Sequence, residues 1–134
     1  MLQVTDLQFG YVAPLVRGLN FTIEAGTIRL LHGPSGCGKS SLLAILSGTA
    51  DKMLKWHGSI TLDGVEIGHM SAAQRGVGLM FQDPLLFPHM TVGDNLAFGL
   101  TAARSGRAKR LQAVLEALHE CGLDDFAERD PASL

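Results

Sequence analysis

The run Gly33-Pro34-Ser35-Gly36-Cys37-Gly38-Lys39-Ser40 brings three glycines, one ammonium and two hydroxyls together within eight positions. A chain of phosphates needs many donors in a small space, and the spacing G-x-x-x-x-G-K-[ST] supplies them. The glycines let the backbone turn tightly and aim its N–H groups inward. A helix opening at the end of the run adds further free N–H groups and a favourable dipole. Lys39 is placed to reach β- and γ-phosphates, the Ser40 hydroxyl to coordinate Mg²⁺, and Ser41 to add a hydrogen bond near an α-phosphate. Cys37 invites a redox reading, but its place inside the loop suits a small spacer residue better. The chemistry read from these residues is nucleotide binding.

Such a loop works only between a strand and a helix, and the flanking sequence predicts both. Thr27 to Leu31 reads as a strand running into the loop. Lys39 to Gly48 reads as a helix, apolar nearly all round at Leu42–Leu46 and so expected to be buried, with Gly48 as its C-terminal cap. Upstream, Leu2, Val4, Leu7 and Phe9 mark one strand, Phe21 and Ile23 a second, and Ala25-Gly26 a turn. Residues 49–57 read as a loop, and Ser59–Leu62 and Val65–Ile67 alternate around an Asp63-Gly64 hairpin turn. Val77–Phe81 is a continuous apolar run, the pattern of a strand covered on both faces.

After a proline-containing loop at 83–90, Thr91 with Asp94 predicts a capped helix reaching about Leu100. Residues 102–107 read as a polar linker. A further helix over about 107–121 carries Leu111, Val114, Leu115 and Leu118 as a core-facing stripe and ends at Gly122. Arg104, Arg107, Lys109 and Arg110 read as a solvated linker and helix face. The order of elements predicts an α/β fold with an N-terminal antiparallel β portion beside a parallel core.

Composition bounds the rest. With 134 residues, 46 % apolar and 18 % charged, the chain has material for one core and is not a solvating, disordered polymer. Eleven basic and 13 acidic residues leave a formal charge of −2, which disfavours a nucleic-acid surface. Cys37 and Cys121 form no CxxC or metal-ligand pattern, as expected of a reducing compartment. The N-terminus lacks the pattern of a signal peptide, and no run of about 18 or more apolar residues exists to span a membrane. The expectation is a soluble intracellular protein without direct membrane insertion, reaching a membrane only through a partner.

The run Gly-Pro-Ser-Gly-Cys-Gly-Lys-Ser-Ser-Leu-Leu resembles the Walker A segment of the ATP-binding cassettes of bacterial ABC importers. Two further markers support the resemblance. Val77 through Leu96, with Gln82 lying 43 residues beyond Lys39, is similar to the family's Q-loop and the start of its helical subdomain. Tyr11, 22 residues before Gly33, stands where the family carries an aromatic that stacks on adenine. The likeness runs over essentially the whole chain and implies a P-loop NTPase-type core. Residues 1–134 would be the N-terminal portion of one ATP-binding domain, about 1–90 its β-rich P-loop core and about 91–134 its helical subdomain.

The resemblance also implies roles. ATP and Mg²⁺ would be the cofactors, held by Tyr11, Gly33, Pro34, Ser35, Gly36, Cys37, Gly38, Lys39, Ser40 and Ser41. Lys39 and Gln82 would serve catalysis, with Ser40 and Gln82 toward the metal and Gln82 linking the site to a membrane subunit. Tyr11 packing on its own sheet, and Gln82 as a loop residue facing water, are the plainer readings of the same residues. Leu85, Leu86, Phe87 and Phe98 would dock a membrane-spanning permease near residues 83–98, or else pack into the chain's own core. His89 matches no catalytic position of the family.

A second cassette would complete a homodimer, with no nucleic-acid partner. The location implied is cytoplasmic, on the inner face of the membrane through the permease. By the same resemblance, Leu134 would open the family's signature motif, with the Walker B carboxylates and the switch histidine still to come. The expectation for these 134 residues alone is weak ATP binding, negligible turnover and a tendency to aggregate, whereas the complete subunit would hydrolyse ATP to drive solute import. A non-catalytic nucleotide-binding or regulatory module, and a cassette outside transport, remain alternatives. A small-molecule kinase fits less well with Tyr11 and the spacing to Gln82. No residue names a transported solute.

Overall fold

Two alternating apolar segments joined by a short turn form a hairpin, and the rest of the sheet builds outward from it. In this computed structural model, which describes residues 1–83, 85–100 and 106–133, β1 (Leu2–Gly10) pairs antiparallel with β2 (Pro14–Ile23) and, on its other edge, with β3 (Lys55–Leu62). β4 (Val65–Glu66) completes the order β2-β1-β3-β4. Val4 and Leu7 lie three positions apart, which strict alternation would put on opposite faces. Between them Asp6 lies in the left-handed region, with φ 47°.

 That left-handed residue sits where the ladders to β2 and β3 both shift register, so the phase slips by one residue and Val4, Leu7 and Phe9 all face the core. Gly58 lies across from the bulge, where a Cβ would come within 2.7 Å of the Leu7 Cα.

The Asp63-Gly64 turn has positive φ at both residues, 50° and 80°, as a two-residue hairpin of this twist requires. α1 (Lys39–Ser47) packs one face on the sheet, and Leu42, Ile45 and Leu46 join Val4, Leu7, Phe9, Leu54, Ile60 and Ile67 in one core. A short helix, α2 (Ala72–Arg75), follows Ser71, whose hydroxyl donates to Gln74 Oε1 at 2.7 Å. These elements make up one compact unit, Met1–Met80; a second comprises Phe81–Leu134.

Several expectations need correction. Lys55–His57 belongs to β3 rather than to a loop, because Trp56 pairs with Phe9 and extends the ladder. Neither Thr27–Leu31 nor Val77–Phe81 is a strand, and Ile28, Leu30 and Met80 are more than nine-tenths exposed. A parallel strand needs a neighbour to take its hydrogen bonds, and among the described residues the only sheet is antiparallel. The described residues thus form the antiparallel β portion and the helices of the expected α/β fold, with no parallel strand pair among them. For the same reason α1 is not buried all round, and Leu43 stays exposed.

In the second unit, α3 (Val92–Phe98) begins at Thr91, whose hydroxyl accepts from the Asp94 N–H at 3.1 Å. α4 (Arg107–Glu120) ends before Gly122, which has φ 70°. The following residues fold back, so that the Val92 and Gly93 N–H groups donate to the Arg129 and Ala127 carbonyls at 3.0 and 2.8 Å. Val92, Val114 and Leu118 form this unit's core, with Phe126 and Ala127 packed against it. Leu111 and Leu115 are exposed, contrary to the expected stripe, because the seven-residue α3 covers only one side of α4. Arg107, Lys109 and Arg110 are exposed as expected; Arg104, Leu134 and most of the polar linker lie outside the described residues.

Leu7 is fully buried, so Leu7→Ala is expected to lower the unfolding free energy by about 3 kcal/mol, read from urea denaturation. Burial pushes the Glu66 carboxyl up, but hydrogen bonds from Ser59 and from the Gly68 and Ile60 N–H groups hold it, on balance, below its usual 4.5. Its contribution is therefore present above that value and lost as pH falls through the lowered one. Glu66→Gln is expected to flatten the loss of stability below about pH 4.5, measured by unfolding at stepped pH.

Candidate phosphate-binding site

A helix whose first amides are left free is the starting point of this site. α1 opens at Gly38, which has φ 98°, ψ 9° and no side chain to cap the first turn. No acidic residue occupies that turn. The first N–H groups of any helix lack intrahelical partners, and their dipoles favour an anion. Gly36, with φ 78°, also lies in the left-handed region, and a Cβ there would meet open space. A Cβ on Gly38 would lie 3.0 Å from the Phe9 ring and 3.1 Å from Leu15 Cδ2. The loop thus rests on the β1–β2 hairpin, with no room for a larger residue at its last turn.

Lys39 curls back over the loop. Its ammonium donates to the Gly33 carbonyl at 2.8 Å and the Pro34 carbonyl at 2.7 Å, and lies 3.8 Å from Cys37 Sγ. The cation is thereby held among the residues whose backbone turns around it. The Cys37 N–H donates to the Pro34 carbonyl at 3.4 Å, which closes the turn. A Cβ on Gly33 would come within 2.9 Å of Cys37 Sγ, so the thiol fills the space beside a glycine. Ser35 and Ser40 are exposed and Ser41 is half-buried. Free amides, an ammonium and an accessible hydroxyl are a donor set that fits an oligophosphate with its cation. No cluster of three or more His, Cys, Asp or Glu side chains exists among the described residues to hold a metal by itself.

Tyr11 stands in the turn between β1 and β2, 56 % exposed, beside a shallow cavity that Trp56 and His57 also line. Its ring is therefore not packed into the sheet core. Phe9 and Leu15 of the same hairpin lie beside Gly38, so this turn and the phosphate loop are neighbours. Gln82 is exposed and belongs to the second unit. Leu85, Leu86, Phe87 and Phe98 are exposed too, which does not match burial in the chain's own core. Phe87 and Phe98 meet edge-on with centroids 4.8 Å apart, and His89 lies 5.9 Å from Phe87.

Two residues that matter here gave no signal in the sequence. Arg75 is buried and donates to four backbone carbonyls, among them Ile45 at 2.5 Å and Gly68 at 2.6 Å. Burial lowers its pKa, with the Glu66 carboxylate acting the other way. Asn95 accepts from the Phe87 N–H at 2.8 Å and donates to the Thr91 carbonyl at 2.9 Å, pinning the apolar loop to α3. A polar residue on a short helix reads as surface in a sequence, and only packing shows otherwise.

A family model described as ABC transporter matches residues 16–134. A spermidine/putrescine import ATP-binding protein of Haemophilus ducreyi is 41 % identical over 120 residues, covering 90 % of this chain and 32 % of the relative. An sn-glycerol-3-phosphate import ATP-binding protein of Rhizobium etli is 35 % identical over 134 residues, covering 99 % and 38 %. The chain thus spans about a third of the length of these relatives. A solved dimeric ATP-binding cassette, in a post-hydrolysis state with ADP and Pi, superposes with a TM-score of 0.77 at 24 % identity, covering all of this chain and 63 % of that one. At that identity the superposition speaks for the fold alone.

Gly36→Ala and Gly38→Ala separate conformation from contact. Both face the cost of a left-handed alanine, about 1 kcal/mol, and Gly38→Ala must also displace Phe9 and Leu15. Thermal unfolding is expected to show the larger loss for Gly38→Ala.

Proposed function

The chain belongs to the ABC transporter family, and from that premise we propose that it forms the nucleotide-binding portion of an import ATPase subunit. The observation that carries the reading is the loop at 33–41, with its uncapped helix start and the Lys39 ammonium held inside the turn. ATP is the proposed ligand. Loop amides and Lys39 would bind its phosphates, and Tyr11 would offer its exposed ring to the adenine. Mg²⁺, when bound, neutralises charge developing on the phosphates, and Ser40 is the residue of this loop that would hold it. Gln82 is proposed to act toward the same metal or the attacking water.

The proposed division of labour gives residues up to about 90 to the nucleotide and those from about 91 to the helical subdomain. The exposed apolar loop at 85–87, with Phe98, would dock a membrane-spanning permease on the cytoplasmic side. No helix among the described residues is long and apolar enough to cross a membrane. A second cassette would complete the ATP site. The relatives' names specify two different solutes, a polyamine and a phosphorylated polyol, so likeness to them selects no cargo.

Titration with a fluorescent ATP analogue tests the reading. Lys39→Ala is expected to weaken binding by about tenfold or more, as befits lost charge-assisted hydrogen bonds. Tyr11→Ala is expected to weaken it by about tenfold, as for a lost stacking partner. Equal affinity of Lys39→Ala and the unaltered chain would overturn the assignment.

A further inference from the structure

The N-terminal amides of α1 are the groups the proposed site needs free, so the helix has to be fixed from its other end. There the Gly48 N–H donates to the Ile45 carbonyl at 3.2 Å and the Thr49 N–H to the Ala44 carbonyl at 2.9 Å. Arg75 supplies the remaining ties. Its Nη1 donates to the Ile45 and Leu46 carbonyls at 2.5 and 3.2 Å, its Nη2 to Gly68 at 2.6 Å and its Nε to Met70 at 2.9 Å. One planar cation therefore binds the last turn of α1 to the segment that follows β4. A lysine has no fork of donors with which to span these carbonyls.

Two further observations fit an anchor. A cation at a helix C-terminus interacts favourably with the helix dipole. Gly48 is also shaped around the arginine: a Cβ there would lie 2.6 Å from Arg75 Nε and 3.0 Å from its Cδ. Only nine residues separate the anchored end of α1 from the loop, so a tilt at one end displaces the other.

We propose that Arg75 is a positioning residue for the phosphate loop, acting through α1 without touching the nucleotide. The inference rests on the nucleotide-binding reading above, but its first test needs no nucleotide. Hydrogen exchange in the 134-residue chain compares Leu42–Ser47 amides with those of β1 and β3. Arg75→Gln is expected to speed exchange in α1 by about tenfold while the sheet changes little, given the lost bonds to buried carbonyls. Ile60→Val, a sheet-core control, is expected to favour neither element. Arg75→Lys keeps the charge and is expected to fall between, and it serves should Arg75→Gln fail to fold.

The second test is affinity for the fluorescent ATP analogue. Arg75→Gln is expected to bind about tenfold more weakly, Arg75→Lys less so, and Ile60→Val within about twofold of the unaltered chain. Equal exchange in α1 and the sheet, or unchanged affinity in Arg75→Gln, would overturn the proposal. Selective loosening of α1 in a chain that does not bind the analogue at all would instead keep the anchor and sink the nucleotide reading.

Discussion

An anion site made of helix amides imposes a constraint on everything around it: the amides have to stay uncapped, and the helix that carries them still has to be held still. α1 meets the first condition by starting at a left-handed glycine with no side chain and no acidic neighbour. It meets the second through its buried face, where Leu42, Ile45 and Leu46 pack on the antiparallel sheet, and through the ties at its C-terminal end. The bulge at Asp6 serves the same end, because the shifted phase brings both Leu7 and Phe9 to the core face. Phe9 then reaches Gly38 and fixes where the loop can lie.

The electrostatics of the loop follow from that arrangement. Lys39 donates to two carbonyls of its own loop, so its charge is already localised before any ligand arrives. A preplaced cation loses less side-chain entropy on binding than a free one. In the second unit an analogous economy holds the apolar loop, where a single amide, Asn95, bonds to the Phe87, Met90 and Thr91 carbonyls. Exposed leucines and phenylalanines are thereby presented on a fixed backbone.

Much of this was legible in the sequence. The glycine spacing, the lysine and the serine identified the loop, and the apolar period located α1, α3 and α4 to within a few residues. Asp63-Gly64 declared its turn because both positions need positive φ. The strands at 27–31 and 77–81 were misread, since a continuous apolar run describes what a segment would bury and not whether a partner strand is present. The stripe on α4 failed similarly, with Leu111 and Leu115 exposed beside a short α3.

The sequence by itself determined which chemistry the loop can perform, because backbone freedom at glycine and the charge of lysine are properties of the residues. It also determined the helix starts at Thr91 and Gly38 and the hairpin at residues 63–64, all set by interactions between near neighbours. Tertiary structure alone decided that Arg75 is buried against α1, that Asn95 ties down a loop, and that Tyr11 keeps its ring exposed. Those outcomes depend on which distant carbonyls and side chains come together, and burial of a polar group is favourable only when such partners are present.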